Sequence, residues 1–181
     1  YRKQFKMPTY HSSFNEAKGQ EVCGAMVLPV KTKVKGPAPP APGDKIDVID
    51  EALDFFRANV LHRNFQSQGP ADLVLCYLTV WIGELIRDAS KKADKKSAQQ
   101  TVTQKSMSTS FAIPGDSSFC LAGFFKAPSG RKDSDLFRSY FRQIREETQL
   151  RLFDKIFNED GSKNKWWFQF AKKSFMNVQR T

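Results

Sequence analysis

Few side chains in this sequence have the identity and spacing that chemistry requires, and each such set reads more simply as structure. Two histidines, His11 and His62, are the whole supply of side chains that titrate near neutrality unaided. His11 lies in a stretch punctuated by Pro and Gly, and His62 in a polar turn after a helical pattern. Each therefore reads as a surface or helix-end group rather than a general base. Gly115-Asp116-Ser117-Ser118 carries a Gly-Asp-Ser of the serine-hydrolase kind. It lacks the glycine that would sharpen a nucleophile's turn, and no histidine is placed to take the proton. Glu146 and Glu147 are adjacent, hence about 100° apart on a helix, so they do not flank one substrate as a carboxylate pair and read as solvated charges. Cys23, Cys76 and Cys120 are odd in number with no C-x-x-C spacing, which fits free thiols in a reducing, cytoplasmic setting. Phosphate-binding glycine loops, H-E-x-x-H and EF-hand patterns are absent. No catalytic residue, metal site or cofactor is expected.

One segment has residues that bind by type. From Lys163 to Lys173, lysines interleave with Trp166, Trp167, Phe168 and Phe170, as on a platform where bases stack. The same spacing has two other readings. On a helix Trp166 and Phe170 share a face, which would dock a terminal helix on the core with lysines snorkelling outward. Tryptophan beside a basic rim is also the composition of interface anchors. The net charge of +10, from 29 basic and 19 acidic residues, favours acidic partners of any kind. The surplus is spread along the chain, 9 against 7 in residues 1–60, 7 against 4 in 61–110 and 13 against 8 in 111–181, so there is no basic tail.

The elements that would position these groups follow from periodicity. The chain has 181 residues, 40% of them hydrophobic and sixteen of them Phe, enough apolar surface for one ordinary core and short for two. Its richest apolar stretch, Leu73 to Ile86, carries Glu84 and ends at Arg87-Asp88, too short to span a membrane. The chain opens without Met, and Met7-Pro8 reads as a natural start, so residues 1–6 are expected to be an extension. Residues 7–43, with Gly36-Pro37-Ala38-Pro39-Pro40-Ala41-Pro42-Gly43, predict an extended Pro-rich arm containing one short apolar piece, Ala25 to Val30. Asp44 predicts an N-cap with Asp47 three residues on, opening an amphipathic helix whose face is Ile46, Ile49, Leu53, Phe56 and Val60. A second helix opens at Gly69-Pro70 and runs to about Lys92. Its apolar residues go round the whole cylinder, which predicts a central helix enclosed by others. Lys91 to Ser97 reads as a solvated turn into a helix carrying Val102 and Met107. Residues 111–130 read as an ordered loop packed by Phe119, Leu121, Phe124 and Phe125. Asp133 or Ser134 caps a long helix with a stripe through Leu136, Phe137, Tyr140, Phe141, Ile144, Leu152, Phe153 and Ile156. A last aromatic helix covers Lys165 to Met176. The sum is an all-α, multihelical single domain over 44–181, with one central hydrophobic helix and an N-terminal arm.

Several segments together resemble a known family, subunit 3 (the p21 subunit) of the actin-related protein 2/3 complex. They are Tyr10-His11-Ser12-Ser13, Met26-Val27-Leu28-Pro29-Val30-Lys31-Thr32, Lys35-Gly36-Pro37-Ala38-Pro39, and Asp47-Val48-Ile49-Asp50-Glu51-Ala52-Leu53 on to Phe56-Arg57-Ala58-Asn59-Val60. Ala71-Asp72, Tyr77-Leu78-Thr79, Ile113-Pro114-Gly115, Ile144-Arg145-Glu146-Glu147-Thr148, Arg151-Leu152, Lys165-Trp166-Trp167 and Phe175-Met176-Asn177 follow in the family's order, so the likeness runs over 7–177. The resemblance implies an all-helical, non-catalytic subunit. It also implies assembly with actin-related proteins 2 and 3 and four further subunits, mainly against actin-related protein 3 near the mother actin filament. ATP would bind the actin-related subunits rather than this one, and the setting would be the actin-rich cell cortex. Candidate partner contacts are Lys35, Gly36, Pro37 and Pro39 of the arm and Trp167, Lys172, Lys173 and Met176 near the C-terminus, with burial in the chain's own fold the alternative for each. The rival function is a basic helical nucleic-acid-binding module using Lys163 to Lys173.

Overall fold

The computed structural model describes residues 8–178. In chain order these form β1 (Glu21–Val22), β2 (Ala25–Met26), α1 (Val48–Asn59), α2 (Pro70–Ser90), α3 (Lys95–Met107), α4 (Arg131–Ile156) and α5 (Lys165–Phe168), then a 3-10 turn at Phe175–Asn177. The chain is mainly helical, as expected, with one short antiparallel hairpin that the sequence did not signal. The expected extension, residues 1–6, lies outside the described residues. The hairpin turns at Cys23 and Gly24, whose φ angles of 51° and 85° are both left-handed. Two such residues let a two-residue loop match the twist of its strands.

Every residue of α2 from Ala71 to Ile86 is buried. A helix with one wet face cannot do this, and here α1, α3, α4, α5 and β2 all pack on it. Its largest side chains, Tyr77 and Trp81, are fully buried. Both carry a polar atom that needs a partner. Trp81 Nε1 donates to the Arg145 carbonyl at 3.1 Å, and the Tyr77 hydroxyl accepts from Arg145 Nη1 at 3.0 Å. A second aromatic group joins the 111–130 loop to the core, with Phe119, Phe125, Phe137 and Phe141 meeting edge-on or stacked at centroid distances of 4.0 to 6.1 Å.

Three element boundaries differ from the sequence reading. The cap of α1 is Asp47, not Asp44: its carboxylate accepts from Ile49 N and Asp50 N while Asp50 accepts from Asp47 N at 3.1 Å, a reciprocal capping box one turn later. Asp47 is also 1% exposed and tied to distant residues, so tertiary bonding selects it, and Ile46 lies outside the helix, 61% exposed. The N-cap of α4 is Gly130; Asp133 sits inside the first turn and reaches back to Ser129 N at 3.1 Å. The last aromatic helix ends at Phe168, because Trp167, Phe170 and Phe175 must all reach the core and one straight helix cannot deliver them. The chain breaks at Met176 and Asn177, whose φ angles of 49° and 60° are left-handed.

Tyr140 links arm to helix from the inside: its hydroxyl accepts from Leu28 N at 3.0 Å. Tyr140→Phe keeps the packing and orphans a buried N–H, so chemical denaturation should show a loss of about 1–3 kcal/mol. A loss below measurement would mean that Leu28 finds another acceptor.

Candidate partner interface

The arm buries one apolar piece, Val22 to Val30, and the backbone donors on either side of it must still end on something. They end on acidic groups buried in the helices. Asp72 in the first turn of α2 accepts from Ser12 N at 2.8 Å and Gln68 N at 2.9 Å and bonds His11 Nδ1 at 2.7 Å. Glu51 of α1, 2% exposed, accepts from the Ser12 hydroxyl at 2.6 Å and from Ser13 N at 2.9 Å. Asn59 closes a two-way pair with the Tyr10 backbone at 3.0 and 2.9 Å. Residues 10–13 are thus sewn to α1 and α2. His11, expected at the surface, is partly buried in this seam.

A second knot holds residues 30–40. Arg151 of α4 donates through Nη1 to Asp47 at 2.8 Å and Asp50 at 2.9 Å, through Nη2 to Asp47 at 2.9 Å and to the Lys31 carbonyl, and through Nε to Glu147 at 2.8 Å. Glu147 in turn accepts from the Thr32 hydroxyl at 2.7 Å, so it is not the solvated charge its sequence setting suggests. Lys31 N also donates to Asp47, and Lys31 Nζ meets Asp50 at 2.7 Å. Burial works to raise the Asp50 carboxyl's pKa, but the Lys31 ammonium, the Asp47 N–H and the Arg151 charge outweigh it and hold the group below its usual 3.8. Gln143 Nε2 donates to the Val34 carbonyl at 2.8 Å and its Oε1 accepts from Ala38 N at 2.9 Å. Val30 and Pro40 form an isolated bridge, so residues 31–39 make a closed loop lying on α4.

The candidate contacts fall into two separate groups. Lys35, Gly36, Pro37 and Pro39 are exposed on the loop over α4, and the Lys35 carbonyl accepts from Arg142 Nη2 at 3.4 Å. A Cβ built on Gly36 would lie 2.3 Å from Gln143 Oε1 and 2.8 Å from Gln143 Cβ, so glycine lets the loop sit this close. Near the C-terminus, Lys172 and Lys173 are exposed and Met176 is half-buried against the core. Trp167 is only 8% exposed, stacked on Phe56 at 5.9 Å with Phe170 edge-on to the same ring. Trp166, expected to face the core with Phe170, is 69% exposed instead. Trp167 of this group packs on α1 through Phe56, and its helix also meets α2 and α4.

Sequence reasoning missed two surface features. A groove of about 630 Å³ runs between Lys31–Val34 and Glu146–Leu150, with Leu150 49% exposed. A cleft of about 460 Å³ brings Lys172 and Ser174 beside Glu84, Arg87, Asp88, Lys91 and Lys105. The visible signal for the groove was Leu150, which stands outside the α4 stripe; nothing marked the cleft, whose members come from three separate segments. Among the described residues no three His, Cys, Asp or Glu side chains could hold a metal ion, and no helix is long and apolar enough to cross a membrane. Burial, aided by nearby carboxylates, pushes the Cys23 thiol up to about 11 and Cys120 to about 12, so both stay protonated and poorly nucleophilic.

Comparison with known proteins gives one consistent result. The family described as P21-Arc: ARP2/3 complex ARPC3 (21 kDa) subunit matches residues 7–179. Actin-related protein 2/3 complex subunit 3 of Dictyostelium discoideum is 43% identical over 173 residues, 93% of this chain and 97% of that protein. The protein of the same name in Arabidopsis thaliana is 39% identical over 170 residues, covering 93% and 97%. The one in Schizosaccharomyces pombe is 36% identical over 181 residues, covering 94% and 98%.

The Arg151 knot and the Lys105–Asp88 pair set an acid dependence. Asp50 and Asp88 are both held below the usual carboxylate pKa; for Asp88, burial opposes this and the Lys105 hydrogen bond overcomes it. The unfolded chain therefore takes up protons first as the pH falls, so stability is fully present above about pH 5 and is lost progressively below about pH 4. Arg151→Gln strands Asp47 in the core and should cost on the order of 3 kcal/mol at neutral pH. It should also flatten the acid slope, both read from urea unfolding at several pH values. An unchanged slope would detach Asp50 from the pH response.

Proposed function

The chain belongs to the family of ARP2/3 complex ARPC3 (21 kDa) subunits, and from that premise we propose that it works as a non-catalytic structural subunit of such a complex. In this reading it packs mainly against actin-related protein 3, near the mother filament, and supports nucleation of a branch. The observation that carries the reading is the family match over residues 7–179, nearly the full length. Two physical features support it. The arm is held by buried carboxylates at Ser12 and Lys31 and by the Gln143 amide at Ala38, so Lys35, Gly36, Pro37 and Pro39 form a pre-ordered surface, which lowers the entropy cost of association. Lys172 and Lys173 stand exposed on a chain of net charge +10, suited to steering toward an acidic filament. Use of Trp167 and Phe170 inside the fold, with Phe168 packed on Phe157, leaves Trp166 as the one free ring of that segment, too little for a base-stacking platform.

Affinity purification of the tagged chain from its own cells, with mass spectrometry of what comes along, tests the reading. Stoichiometric recovery of two actin-related proteins and four companion subunits is expected; recovery of the chain alone, or with nucleic acid, would overturn it. In reconstituted complex, Lys172→Glu with Lys173→Glu should lower branch density while the assembly stays intact, with a larger deficit at low salt. Unchanged density would remove these lysines from filament engagement.

A further inference from the structure

Arg145 of α4 is 2% exposed, and among the described residues its guanidinium forms no ion pair with a carboxylate. Burying a guanidinium this way is costly unless something supplies the missing negative charge. Its neighbours compensate only in part. The guanidinium carbon lies 3.9 Å from the Trp81 ring centroid and 4.4 Å from that of Phe111, a sandwich of two π faces. Nη1 donates to the Tyr77 hydroxyl, which burial keeps neutral by pushing its pKa up to about 12. Nε is sealed and has no partner. Nη2 makes no hydrogen bond among the described residues either and is not among the sealed atoms, and Arg145 lines a pocket of about 270 Å³ between α3, the 108–118 loop and α4.

The rest of that pocket is rich in donors. Ser108, Ser110 and Ser118 line it with Lys105. The Ser108 hydroxyl oxygen accepts from Ser110 N at 3.2 Å, which leaves its own hydrogen free to donate outward. The hydroxyls of Ser110 and Ser118 make no hydrogen bond within the described fold. Lys105 Nζ is engaged by Glu84 and by Asp88 at 2.7 Å, so its charge is largely spent, whereas Arg145 has no such ion pair among the described residues. The wall is held in place: Arg138 Nη1 donates to the Phe111 carbonyl at 3.1 Å, fixing the loop that carries Ser110.

We propose that this pocket is a binding site for a phosphate group, held by Arg145 Nη2 and the hydroxyls of Ser108, Ser110 and Ser118. A guanidinium edge plus three hydroxyl donors outnumber what the two oxygens of a carboxylate can use, and they suit the three terminal oxygens of a phosphate. The volume admits the group with a small organic tail. The source is either free inorganic phosphate or a small phosphate monoester, and the chemistry at the pocket is the same.

Calorimetric titration of the full chain with inorganic phosphate in low-chloride buffer tests the site. Saturable one-to-one binding is expected. Ser110→Asp with Ser118→Asp, at two exposed positions that leave the core untouched, should weaken it roughly tenfold or more by putting like charge in the pocket. Lys172→Gln with Lys173→Gln removes the same two charge units from the net +10 and should leave the binding unchanged. Glycerol phosphate binding at least as tightly as inorganic phosphate assigns the pocket to a monoester; weaker binding assigns it to the free anion. No saturable binding, an equal loss in both double variants, or acetate binding as tightly as phosphate would overturn the proposal.

Discussion

Buried carboxylates that accept from another segment's backbone are the constraint on which the rest of this structure depends. Asp47, Glu51 and Asp72 are each 2% exposed or less, and each takes hydrogen bonds from the N-terminal arm. Such a group is stable in the interior only while its donors stay in place, because losing one leaves a desolvated charge. The arm and the helices therefore specify each other. The helices provide acceptors that the arm's extended backbone needs, and the arm provides donors without which α1 and α2 could not keep acids inside.

The apolar half of the same design is α2. With every residue from Ala71 to Ile86 inside, it can be covered only by several elements at once, and β2 of the arm is one of them. The two polar-tipped aromatics of α2, Tyr77 and Trp81, both turn to Arg145, so the middle of α4 is placed by hydrogen bonds as well as by packing. About one turn later the same helix supplies Thr148, whose hydroxyl turns back to the Ile144 carbonyl, and about a turn after that Arg151, which closes the arm. A single helix thus ties core, loop and arm together, which is what a subunit needs in order to present fixed surfaces to partners.

How much of this was legible in the residues depends on range. Periodicity alone identified the helical class, the apolar face through Ile49, Leu53 and Phe56, and the stripe on α4, because each is local. The cap of α1 was misassigned by three residues, since Asp44 and Asp47 are alike within their own segment and partners outside it, Lys31 N and Arg151 more than one hundred residues away, distinguish them. The direction of Trp166 was misread for a related reason. Helical spacing pairs Trp166 with Phe170, but the helix stops at Phe168 to let Trp167 and Phe170 reach the same Phe56 ring. The hairpin left almost no trace, because four strand residues are too few for a period and its turn uses Cys23 where glycine or asparagine would have signalled it. Of the candidate contacts, the lysines and prolines are exposed, whereas nothing in the helical pattern of α4 marked Arg145 as buried.

The central claim, that arm and helices fold as one unit through buried carboxylates, is tested most directly by native-state amide hydrogen exchange of the full chain and of Glu51→Gln. The account predicts that the amides of Ser12, Ser13 and Lys31 exchange as slowly as those of α1 and α2. In Glu51→Gln, protection should fall at residues 12 and 13 first and at α1 with them. Fast exchange of the arm amides in the parent chain, with α1 and α2 fully protected, would contradict it and make the arm a separate, loosely attached segment.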